Sequence, residues 1–159
     1  AWYQDKDIPI EVFQSVRALK PRSPFDFDKR ISAVHHFGSL EQAQALSAAN
    51  KRVSNLVAKS GLKDYNSKVD PSLFDTEAEK VLYDLVENKE YELAPLIENH
   101  DYSGALVSLS SLREPVDKFF DDVMVMSDIE EVKVNRIMLL IRLRDLFLQV
   151  ADVSILHSN

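Results

Sequence analysis

An all-α bundle, with about six to seven helices wrapped around a long helix near the C-terminal end, is the fold class this sequence predicts. Three observations carry it. The 159 residues include only three glycines and six prolines, and no two apolar runs are joined by hairpin turn chemistry. Apolar residues recur instead at gaps of three and four through most segments. Residues 128–155 are apolar around nearly the whole helical circumference, which a helix in water tolerates only when other helices enclose it.

Taken in order, residues 8–19 form a short amphipathic helix: Pro9 suits its first turn, and Val12, Val16 and Leu19 share one side. Pro21 and Pro24 then impose an extended connector. Residues 1–25 thus read as a lead-in to a helical domain spanning 26–159. Residues 26–37 make the next helix, with Phe27, Ile31, Val34 and Phe37 as its core stripe and Gly38 at its end. Ser39 and Gln42 have the spacing of a capping box for a helix that runs to Lys59 and stops at Gly61. Its inward side carries Leu46, Ala49, Val53, Leu56 and Val57.

Residues 63–75 read as a loop with a turn at Pro71. Thr76 caps a helix from Glu77 in which Val81, Leu82, Leu85 and Val86 pack, and a break or kink is expected near Pro95. Asp101 caps a helix that turns Ala105, Leu106, Leu109 and Leu112 inward. Pro115 fits the first turn of a helix containing Val116, Phe119, Phe120 and Val123, and residues 124–127 form a tight connector. In 128–155, Asp128 is placed as N-cap, with Glu130 and Glu131 in the first turn. Ile129, Val132, Ile137, Leu140, Ile141, Leu143, Phe147, Val150 and Val153 mark one broad face, widened by Met138, Leu139, Leu146 and Leu148. This segment is no membrane span, because Arg136 and Arg142 bracket an apolar run of five where a bilayer needs about 20.

The net charge of −7 argues against generic nucleic-acid binding, but it hides an asymmetry. Residues 1–68 hold 11 Lys+Arg against 7 Asp+Glu, a net of +4, and residues 69–159 hold 8 against 19, a net of −11. A basic half joined to an acidic half points to a polyanion-facing surface or to charge scattered over solvated faces. With no cysteine, disulfide and thiolate chemistry are excluded, as suits a reducing cytoplasm. No signal or transit peptide is present. Ala1 in place of Met fits either a piece of a longer chain or removal of the initiator.

Nothing in the pattern is catalytic. His35 and His36 are adjacent and diverge by about 100° on a helix, so no metal site is expected. Asp117, Asp121 and Asp122 lack the glycine turn of a calcium loop and read as a solvated face. There is no phosphate-cradling loop, dinucleotide fingerprint or nucleophile elbow. What remains is a cationic helix face. Lys51, Arg52, Asn55 and Lys59 fall within roughly 100° of one another at 100° per residue. Either this is a solvated surface or it neutralises phosphates while Asn55 bonds unstacked bases.

The run Ala48-Ala49-Asn50-Lys51-Arg52-Val53-Ser54-Asn55-Leu56 closely resembles the anticodon-binding domain at the C-terminal end of bacterial glycyl-tRNA synthetase β subunits. So do the run from Leu112-Arg113-Glu114-Pro115 through Met124-Val125-Met126 and the later set Asn135-Arg136, Leu139, Leu140, Leu143, Arg144, Leu146, Phe147 and Val150-Ala151-Asp152. They occur in the family's order, and the likeness extends from about Asp7 to Leu156. The resemblance implies a helical domain of the DALR type, also used by arginyl- and cysteinyl-tRNA synthetases, and a cytoplasmic location. It implies a chain excised near the natural end of a longer β subunit, with residues 1–25 joining what precedes.

The expected partners are the tRNA(Gly) anticodon loop, the rest of the β subunit and the α subunit, with neither DNA nor membrane. No cofactor is expected in this domain, since ATP and magnesium serve aminoacylation at the α subunit. The RNA-contacting residues expected on this footing are Lys51, Arg52 and Asn55 at the centre, with Arg30, His36 and Lys59 around them. Arg136 is a further candidate that can instead pair within the bundle. A helical module that docks proteins without touching RNA is the competing reading.

Overall fold

A computed structural model describes residues 7–62 and 68–157. Among these residues the chain forms seven α-helices, two short 3-10 turns and no strand. The helices are α1 (Ile10–Arg17), α2 (Pro24–Gly38), α3 (Ala43–Ser60), α4 (Glu77–Glu98), α5 (Tyr102–Ser110), α6 (Arg113–Asp122) and α7 (Glu130–Leu148), and the turns are Pro71–Leu73 and Val153–Leu156. No described helix is long and apolar enough to cross a membrane. The expected loop at 63–75 is seen in part, because 63–67 lie outside the described residues, as do 1–6 of the lead-in.

Helix α7 is the axis of the bundle. Ile137 through Ile141, Leu143, Leu146 and Phe147 are all buried, and α3, α4 and α5 pack on it. This burial on every side is what its unbroken apolar circumference required. It is shorter than the sequence suggests at both ends. Ile129, not Asp128, flanks its start, without a side-chain cap, and the Ser127 hydroxyl accepts from the Ile129 N–H at 3.2 Å. Ile129 itself is exposed. The helix stops at Leu148 because its terminal carbonyls are taken from elsewhere. Arg30 on α2 donates to the Gln149 and Val150 carbonyls, both at 2.8 Å. Asp152 donates its N–H to the Ser15 carbonyl of α1 at 2.9 Å and caps the last turn through Ser154. Such foreign partners satisfy groups that every helix end leaves open.

Helix α1 packs against α2 and that last turn, with Val12 and Val16 in the common core. In α2, Ser23 is the N-cap and Pro24 enters the first turn, so the helix starts two residues earlier than Asp26. Ser39 closes this helix rather than opening the next. Its hydroxyl donates to the His36 carbonyl at 2.6 Å, so the expected Ser39/Gln42 capping box does not form, and Gln42 flanks α3 with no cap bond. The other end of α3 is as read: Gly61 adopts a left-handed φ of 70°, where a side chain would be strained.

Helix α4 is longer than α7 because Pro95 does not end it. Its missing N–H leaves the carbonyl one turn back without a donor, which costs little where both residues are exposed to water, as Tyr91 and Pro95 are. The helix ends three residues later. His100 takes a positive φ of 57°, and Asp101 and His100 donate back to Leu96 and Ile97 at 2.8 and 3.0 Å, a Schellman closure. Val81, expected to pack, is exposed, while Leu82 and Val86 are buried.

One ion pair sits inside this core. Arg136 of α7 is 6% exposed and Glu79 of α4 is fully buried, with Nε to Oε2 at 3.1 Å. Arg136 also donates to Asp75 and to the Met124 carbonyl, both at 2.7 Å. Glu79 completes a capping box with Thr76, so the residue that starts α4 also receives the guanidinium. Next to it, Asn135 accepts from the Asp70 N–H at 2.7 Å and donates to the Asp70 carbonyl at 3.0 Å, which holds the connector before α4 on the axis helix. Burial pushes the Glu79 carboxyl up, but the Arg136 and Thr76 hydrogen bonds outweigh it and hold the group below the usual range.

Two expectations follow from this packing. Leu140→Ala should lower unfolding free energy by roughly 2–5 kcal/mol in urea titrations, as deletion of a fully enclosed side chain does. Arg136→Ala, which strands a buried carboxylate, should cost about 3–5 kcal/mol. A carboxyl with a lowered folded pKa contributes stability above its unfolded value, and that contribution is lost as pH falls through the folded one. Unfolding midpoints measured below about pH 4.5 should therefore decline less steeply in Glu79→Gln than in the unaltered chain.

Candidate nucleic-acid interface

The sequence of α3 sorts its side chains by helical angle, and the bundle fixes which side is covered. Leu46, Ala49, Asn50, Val53 and Val57 are buried, with the Asn50 amide donating to the Leu46 carbonyl at 2.9 Å. Arg52, Asn55 and Lys59 are exposed on the opposite arc, and Lys51 is half-buried at its edge. Four of the residues expected to meet RNA thus share one helix surface.

That surface continues into a groove. The Arg52 guanidinium lies over the Phe120 ring of α6, 4.3 Å from its centroid. A cavity of about 450 Å³ opens there between α3 and α6, lined by Ala48, Ala49, Arg52, Asp117, Phe120 and Asp121. The small alanines make room, the arginine supplies planar donors, and the two carboxylates supply acceptors. Asp117 lies 3.7 Å from Arg113, which also approaches Glu41 at 3.9 Å. Among the described residues neither Arg52 nor Asp121 has an ion-pair partner. In the sequence, Phe120 reads as core and Asp117 and Asp121 as solvated face. Their placement opposite Arg52 depends on how α6 packs on α3, for which one-dimensional spacing carries no signal.

The other three expected residues lie elsewhere. Arg30 forms an ion pair with Asp26 at 2.7 Å, stacks 4.3 Å from the Tyr102 ring centroid and closes the end of α7. Burial raises the Asp26 carboxyl, yet the Tyr102 and Arg30 hydrogen bonds bring it below its ordinary value. The Tyr102 phenol is pushed up by burial and by Asp26. Arg136 is engaged by Glu79 of α4, by Asp75 just before that helix and by the Met124 carbonyl, as described above. His36 is exposed on the last turn of α2 and lines a different cavity, with His35, Ile8 and Pro9. No group of three or more His and carboxylate side chains that could hold a metal converges among the described residues.

The helical architecture agrees with comparison to known proteins. The family model described as the DALR anticodon binding domain matches residues 46–153, and the chain belongs to that family. The particular relatives are glycine--tRNA ligase beta subunits: it is 51% identical over 158 residues to that of Pseudoalteromonas translucida, 53% over 156 residues to that of Pseudomonas aeruginosa and 47% over 156 residues to that of Coxiella burnetii. Each alignment covers 98–99% of this chain and 23% of the relative, so the chain spans under a quarter of their length.

The division between scaffold and surface cations is testable by stability alone. Arg30→Ala should lower unfolding free energy by roughly 1–3 kcal/mol, since it leaves carbonyls without their donor. Lys59→Ala should leave the thermal midpoint essentially unchanged.

Proposed function

We propose that this chain is the tRNA anticodon-recognition module of a glycyl-tRNA synthetase β subunit, positioning tRNA(Gly) for glycylation at the α subunit. The observation that carries the reading is the arc on α3 formed by exposed Arg52, Asn55 and Lys59 with half-buried Lys51 at its edge, within the stretch matched by the anticodon-binding family. Its partners are then the anticodon loop, the remainder of the β subunit and the α subunit, in the cytoplasm. ATP and magnesium act at the α subunit, and this domain contributes binding rather than bond making.

The mechanism is discrimination by contact. Cations on the arc neutralise loop phosphates, which supplies affinity without reading sequence. Bases turned out of the stack are read on their Watson–Crick edges by side-chain donors and acceptors. Arg30 and Arg136, held inside the bundle, keep α2, α4 and α7 in register beneath this surface. A net charge of −7 weakens indiscriminate attraction to polyanions and concentrates RNA binding on the arc.

Fluorescence anisotropy of a labelled glycine anticodon stem-loop tests the reading. Glycine anticodons share two cytidines; the native loop should bind more tightly than one in which both are replaced, and affinity should fall as salt rises. In Lys51→Ala with Arg52→Ala, binding should weaken and the slope of log affinity against log salt should flatten by roughly 0.7–0.9 per lost phosphate contact. An unchanged slope would remove both residues from the phosphate contacts.

A further inference from the structure

We infer that the groove between α3 and α6 is a receptor for one unstacked cytosine, read on its edge by Arg52 and Asp121. The inference rests on the anticodon-recognition reading and deepens it by assigning base readout to the groove and phosphate contact to the rest of the arc. The geometry supports that division. At 100° per residue, Ala48 and Arg52 fall on the flank of α3 that adjoins Asn55 and Lys59, so a strand held along the arc passes the groove mouth. The cavity of about 450 Å³ has room for a single base, and its alanine floor offers nothing that would compete for polar contacts.

The chemistry of the walls is matched to an amide-like edge. The guanidinium is planar, lies on an aromatic ring and lacks an ion-pair partner among the described residues, so its donors remain available. Asp121 on the facing helix lines the same cavity and is likewise without an ion-pair partner there. Cytosine presents an amino donor beside a ring-nitrogen and a carbonyl acceptor. Asp121 accepts from the amino group while Arg52 donates to the acceptors. Uracil reverses two of these groups, setting a carbonyl against the carboxylate and a ring N–H against the guanidinium, so it is repelled at both points. The Phe120 ring holds the guanidinium plane, which points its donors at a base edge entering the groove. Guanine also has an edge that a carboxylate and a guanidinium can face, but the cytidines shared by glycine anticodons are what the proposed function presents.

The test uses the full chain and labelled glycine anticodon stem-loops with cytidine, uridine or guanosine at each of the two shared positions. The unaltered chain should prefer cytidine at one of them. Asp121→Asn, whose amide can both donate and accept, should lose roughly tenfold of the cytidine-over-uridine preference with an unchanged salt slope. Arg52→Lys keeps the charge but not the planar fork and should lose preference in the same way. Thermal unfolding of both variants checks that the fold is retained. Full discrimination persisting in both folded variants would overturn the groove assignment and leave the anticodon reading intact. Guanosine binding as tightly as cytidine would overturn the choice of base. Equal binding of all loops by the unaltered chain would overturn both readings.

Discussion

The Arg136–Glu79 pair is the interaction on which the arrangement of this bundle most depends. An arginine on the most buried helix is costly unless every donor finds an acceptor. Here the acceptors come from the start of α4 and from the connector that precedes α7. Because Glu79 is also half of the Thr76 capping box, the position at which α4 begins and the position at which it meets α7 are one constraint. Asn135 adds the Asp70 backbone to the same assembly. Three segments separated by up to 65 residues in sequence are thereby set in register by two adjacent side chains of the axis helix.

Arg30 performs the corresponding work at the other end of α7. Its guanidinium replaces water at the last carbonyls, while Asp26 and Tyr102 hold it in place. This explains why α7 stops where its apolar pattern would have let it continue. It also shows how α1 and α2 become part of the domain. Ser15 accepts the Asp152 N–H, so the last described turn is tied to the first described helix.

The acidic half of the chain has a related explanation. Several of its carboxylates are spent on arginines of α7: Asp75 and Glu79 on Arg136, and Glu87 and Glu90 on Arg142. The basic half does not spend all of its cations in this way. Arg52 is left over an aromatic ring beside a groove, and Lys59 and Asn55 are left in solvent. An overall negative chain therefore still offers a local surface on which phosphate and base can meet, because short-range geometry rather than the summed charge governs contact within a Debye length.

The sequence by itself determined the helices and their buried sides, since spacing of three and four is a local property that a helix converts directly into a face. It also determined the caps at Thr76, Asp101 and Gly61, where one side chain or one φ decides the outcome. It placed Lys51, Arg52, Asn55 and Lys59 together because they lie on one helix. The tertiary structure alone decided the ends of α7, the passage of α4 through Pro95 and the fate of Ser39. In each case the deciding group is a partner distant in sequence, a solvent-facing position or a competing carbonyl. It alone withdrew Arg30 and Arg136 into the scaffold and set Phe120 and Asp121 across from Arg52. Pairings between helices arise from packing, and residue spacing within a helix does not encode which residue of another will face it.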